Sequence, residues 1–99
     1  MSGDEKIMTL NPNPGAGGTR ISLSKYTAMR KALLQVVPKS GDGVAYRDLK
    51  QLVGPKLPKA EFEGASIAWY LTVVKLDLEA RGEIQRVAGA KPQRLLRKG

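Results

Sequence analysis

Cysteine and histidine are both absent from this 99-residue chain. Without cysteine there is no disulfide, no thiolate chemistry and no zinc–cysteine site. Without histidine, the usual general base and the commonest metal ligand at neutral pH are missing too. The lack of cysteine fits a cytoplasmic protein. Long apolar runs are also missing: none approaches the ~18 residues of a membrane span. The start, Met1-Ser2-Gly3-Asp4-Glu5-Lys6, leans acidic and leads only into Ile7-Met8-Thr9-Leu10. A secretory signal needs a basic start and a longer apolar region. A membrane partner is therefore not expected.

Catalytic groupings are lacking as well. Asp77 and Glu79 are two apart on an expected helix and point in different directions. Glu61 and Glu63 could converge, but no base accompanies them. Gly15-Ala16-Gly17-Gly18 has no Gly-Lys-Ser/Thr after it and no expected strand before it, so it is not a phosphate-binding loop. No set of nucleophile, base and oxyanion donors emerges. The expectation is a non-enzyme with no cofactor, no metal and no small-molecule substrate.

What the chain has is positive charge. Lysine and arginine number 17 against 9 acids, a net +8. Hydrophobic residues make up 41%, as in an ordinary globular protein, and the length suits one domain. Such a surplus of cations points to an anionic partner.

Proline and glycine crowd Asn11-Pro12-Asn13-Pro14-Gly15-Ala16-Gly17-Gly18, which resists helix and strand alike. Residues 1–20 are therefore read as a flexible tail, and 21–99 as the folded domain. A first helix starts at Ser24 as its cap, carries Tyr26, Met29, Leu33 and Val36 or Val37 at helical spacing, and stops at Pro38. Val44-Ala45 could form a very short strand. A second helix from about Tyr46 carries Leu49, Leu52 and Val53. Phe62 is expected to plug the core from the following connection. A third helix spans about Ala65 to Arg81, closed by Gly82 in a left-handed conformation. Its buried stripe is Ile67, Leu71, Val74 and Leu78; a second apolar face is Trp69, Val73, Leu76 and Ala80. Between them lie Ala68, Thr72, Lys75 and Glu79. After Gly82 the period changes to two: Glu83–Val87 and Gln93–Arg97 read as strands around a turn.

Helix, short strand, helix, helix and hairpin is the order of a helix-turn-helix followed by a β-wing. The run Leu76-Asp77-Leu78-Glu79-Ala80-Arg81-Gly82-Glu83-Ile84-Gln85-Arg86-Val87 resembles the helix-to-wing junction of many winged-helix proteins. Residues 20–98, with Lys25-Tyr26, Trp69, Lys75–Gly82 and Pro92, are also similar to a small bacterial winged-helix family of no established role. The resemblance implies an α+β fold: a three-helix winged helix-turn-helix with a C-terminal two-stranded β-wing.

Arg81 to Lys98 holds six cations and one acid, most of the chain's excess. Such a hairpin can lie along a phosphate backbone or enter a minor groove. DNA is therefore the expected partner, through Arg86, Lys91, Arg94, Arg97 and Lys98. The exposed face of the third helix offers Ser66, Thr72 and Lys75, a thin set for reading bases. Non-specific or wing-led binding, at most weakly sequence-specific, fits better, as in a small transcription- or nucleoid-associated factor. Trp69 admits two readings. Either the wing, the tail or Phe62 covers it, or Trp69, Val73 and Leu76 form the interface of a homodimer or protein partner.

Overall fold

The segment expected to be a loose tail contains a strand. In the computed structural model, which describes residues 5–13, 15 and 17–98, Lys6–Met8 (β1) pairs antiparallel with Arg20–Ser22 (β2). Ile7 faces Ile21 across the pair, and Ile21 is buried. Thr9, also buried, exchanges hydrogen bonds with Thr19: its hydroxyl donates to the Thr19 carbonyl at 2.8 Å and accepts the Thr19 amide at 2.9 Å. Local composition favours an open loop here, but pairing against residues 20–22 satisfies the backbone. The remainder of the tail at residues 1–4, 14 and 16 lies outside the described residues.

Helix α1 follows at once, Leu23–Val36. Ser22, not Ser24, caps it, with its hydroxyl accepting the Lys25 amide at 3.4 Å. Ser24 falls in the first turn and donates to Glu61 Oε2 at 2.7 Å. Pro38 lies just past the end, where the last amide, Val37 N, still bonds Leu33 O. Val44–Ala45 (β3) then leads into a 3₁₀ turn at Tyr46–Asp48 and helix α2, Leu49–Val53. The second helix is thus shorter than expected, its ends wound as 3₁₀ turns at 46–48 and Gly54–Lys56. A further helical turn, α3 (Lys59–Phe62), occupies the expected connection and buries Phe62.

Helix α4 runs Ile67–Ala80, with Ser66 as its cap. Gly82 follows at φ +79°, the left-handed geometry that glycine adopts without penalty. The chain reverses there into β4 (Ile84–Arg86) and returns as β5 (Arg94–Arg97). Strand β5 is central in a three-stranded antiparallel sheet, order β3-β5-β4, with Val44 opposite Leu95 and Ile84 opposite Arg97.

The core lies between α1, α2, α4 and this sheet. Met29, Leu33, Leu49, Val53, Val74, Leu78, Ile84 and Leu95 are fully buried. Leu71, Val74 and Leu78 are the inward stripe read from the third helix, with Ile67 half-buried at its start. Four α-helices and two small antiparallel sheets among the described residues make the class α+β. No helix of the described residues is long and apolar enough to cross a membrane.

Candidate nucleic-acid interface

Leu95 of β5 lies in the core, while Arg94 and Arg97, on opposite faces of the strand by alternation, are half-buried. Both bend back onto the α1–β3 connection. Arg94 donates from Nε to Asp42 O at 2.8 Å and from Nη2 to Gly43 O at 2.9 Å. Arg97 donates from Nε to Val37 O at 2.7 Å, while its own amide bonds Pro38 O. Carbonyl oxygens fix the two planar groups without neutralising them. Neither arginine pairs with a carboxylate among the described residues. Nη1 of Arg94 and both Nη groups of Arg97 are left over from these contacts. Lys39 is exposed on the same connection, and Lys91 and Lys98 are exposed at the hairpin tip and the end of β5.

Gly43 makes this junction possible. Its φ is +79°, and a Cβ there would sit 2.5 Å from Leu95 O. Only glycine lets the connection come this close to β5.

The other expected contact residues are placed differently. Arg86 donates to Glu79 Oε1 at 2.7 Å and shares that one carboxylate with Lys75. Lys75 is not at the surface at all. It is 4% exposed, its Nζ lies 2.6 Å from Glu79 Oε2, and it sits 4.9 Å from the centre of the Tyr46 ring. Burial pushes its pKa below the usual lysine value, against the opposing pull of Glu79. Thr72 donates to Ala68 O at 3.0 Å and is engaged by the Tyr46 hydroxyl at 2.6 Å. Ser66 is occupied as the cap of α4, accepting from Trp69 N at 3.1 Å. The expectation that Lys75 could reach bases is corrected: the Tyr46 turn packs over the polar side of α4. The spacing of Lys75 and Glu79, four apart, was the available signal for that internal pair.

The rotation of α4 that buries Lys75 turns the second apolar face outward. Trp69 is 46% exposed, with its ring edge-to-face on neighbouring Tyr70 at 4.9 Å between centroids. Val73 and Leu76 are half-buried along the same face, and Ala80 is exposed. The reading in which wing, tail or Phe62 covers Trp69 is therefore corrected; Phe62 stacks on Tyr70 instead, at 5.7 Å.

Asp77 has a role that its sequence position did not suggest. It is fully buried and accepts from the Tyr26 hydroxyl at 2.5 Å, from Arg81 Nε at 2.8 Å and from Leu10 N at 2.9 Å. It ties α1, α4 and the N-terminal arm together and leaves no oxygen for chemistry. No group of three or more acidic side chains among the described residues is placed to hold a metal ion.

Residues 6–95 match a family of unknown function, DUF6958. The chain belongs to that family. In DUF6958 terms the matched stretch begins at β1 and reaches into β5, so the arm that bonds Asp77 is part of the family's shared unit. No curated protein and no solved structure matches the chain.

Proposed function

We propose that this protein is a non-enzymatic, cytoplasmic winged-helix domain that binds duplex DNA through its phosphate backbone. In this reading α1, α2 and α4 are the three helices, α3 is an extra turn in the connection, and β4–β5 is the wing. The observation that carries the proposal is the pair Arg94 and Arg97: two guanidinium groups held by carbonyl oxygens, with no carboxylate partner among the described residues. Fixed, uncompensated cations give phosphate contacts at little entropic cost. Lys39, Lys91 and Lys98 extend the strip. With Lys75 buried and the outward face of α4 apolar, base readout is not part of the mechanism. Binding is non-specific, as suits a nucleoid- or transcription-associated factor.

Titration against random-sequence duplex DNA at several salt concentrations tests this directly. Three to four phosphate contacts give a slope of log affinity against log salt of about −3 to −4. Binding absent at ~50 mM salt, where such contacts are strongest, ends the proposal.

A second reading rests on a separate observation, the 46% exposure of Trp69 on an apolar helix face. In it the outward side of α4 meets a protein partner or a second copy of the chain. Association insensitive to salt and abolished by Trp69→Ala would favour it.

A further inference from the structure

Between α1 and the turn that carries Lys56 and Pro58 lies a groove of about 290 Å³. Helix α1 turns Tyr26, Met29 and Leu33 into the core, and its Ala28, Lys31, Ala32 and Gln35 side faces the turn holding Lys56 and Pro58. Half-buried Ala28 and the exposed Pro58 ring give a small-residue, apolar floor, with the buried Ala32 among its lining. Two ammonium groups and one carboxamide stand at the rim. Lys31 and Lys56 are exposed and have no carboxylate partner among the described residues. Glu61 is engaged by Ser24 and Lys25 and is not among the residues lining the groove.

We infer that this groove is a docking site for an acidic peptide segment of a partner protein, one apolar side chain seated on the alanine floor between flanking carboxylates. Shape and charge select this occupant. The groove is open along one side, so a free small molecule would leave much of its surface in water, unlike an enclosed ligand pocket. A peptide needs to bury only one anchor there. Unpartnered cations on both walls favour carboxylates on either side of the anchor and disfavour basic competitors. The Gln35 carboxamide can both donate to and accept from a peptide group. The inference does not depend on DNA binding, since it uses no residue of the Arg94–Arg97 strip.

The test uses two N-acetylated, C-amidated pentapeptides, Glu-Glu-Leu-Glu-Glu and Glu-Glu-Phe-Glu-Glu, titrated into the ¹⁵N-labelled full-length protein. Binding should perturb the amides of Ala28, Lys31, Ala32, Gln35 and Lys56. The double substitution Lys31→Glu with Lys56→Glu should weaken it at least about tenfold, the scale of two rim charges reversed. Both residues are exposed, and an unchanged circular dichroism spectrum verifies the fold of that variant. A matching charge swap, Lys91→Glu with Lys98→Glu, should leave peptide affinity unchanged. Three results overturn the inference: no binding of either peptide at millimolar concentration, perturbation centred on Trp69 or on the hairpin, or equal weakening by the two charge swaps.

Discussion

The Tyr26 hydroxyl donates to Asp77 Oδ2 at 2.5 Å, joining two residues 51 positions apart in the chain. Burial, and then the hydrogen bond to Asp77, push the Tyr26 pKa up to about 12. A tyrosine whose folded pKa is raised adds stability that is complete below its unfolded value near 10 and is lost as pH rises towards 12. Wild-type protein should therefore lose stability relative to Tyr26→Phe between those limits. Unfolding midpoints of both proteins across that range check the difference; parallel curves would show that folding does not raise the Tyr26 pKa.

Asp77 also holds the N-terminal arm through Leu10 N. Removing residues 1–10 strips one donor from a buried carboxylate and uncovers Ile21, the partner of Ile7. The expected cost is about 2–4 kcal/mol, a hydrogen bond to a charged group plus lost apolar burial. Urea denaturation measures it. A change under about 0.5 kcal/mol, the range of an ordinary surface edit, would show that the arm does not contribute to the fold.

Trp69→Ala should be mild for stability, about 1 kcal/mol or less, because roughly half the side chain is already in water. Collisional quenchers should reach the indole in the wild type. A loss of about 3–5 kcal/mol, the scale of a large core truncation, would mean that the face is covered in solution, and sedimentation would then show whether a second copy covers it.

Gly43→Ala forces a Cβ onto Leu95 O and a left-handed conformation onto alanine. It should destabilise by at least about 2 kcal/mol. Because Gly43 O anchors Arg94, duplex affinity should fall at low temperature even where the variant remains folded. Unchanged DNA binding would separate the Arg94 anchor from function.

Lys91→Ala with Lys98→Ala removes two exposed cations that make no internal bonds among the described residues. The salt slope of duplex binding should flatten by up to ~2 units, alike on all sequences. Lys75→Met, by contrast, should leave that slope unchanged, since the ammonium is buried against Glu79. A reversed outcome would place the nucleic acid on α4 instead of the hairpin.

The sequence by itself determined the local elements. Helical spacing over Tyr26, Met29 and Leu33, and over Leu71, Val74 and Leu78, marked the two long helices and their inner faces. Gly82 and the change of period marked the turn into β4 and β5. These signals are local because caps, turns and amphipathic stripes act within a few residues. The charge excess of the C-terminal segment was legible for the same reason.

Tertiary structure alone decided which way α4 faces. Two apolar stripes and one polar strip competed for the core, and periodicity ranks only the best of them. The Tyr46 ring and hydroxyl, more than twenty positions upstream, make Lys75 and Thr72 satisfiable inside, so the Trp69 side is turned to solvent. The arm shows the same limit. Its proline and glycine content reads as loop, and only pairing with Ile21 and the buried Asp77 gives residues 6–10 a fixed place. The anchoring of Arg94 and Arg97 on carbonyls more than fifty residues away is likewise invisible to composition. Hydrogen bonds to distant backbone depend on where the chain returns, and that is set by packing of the whole core.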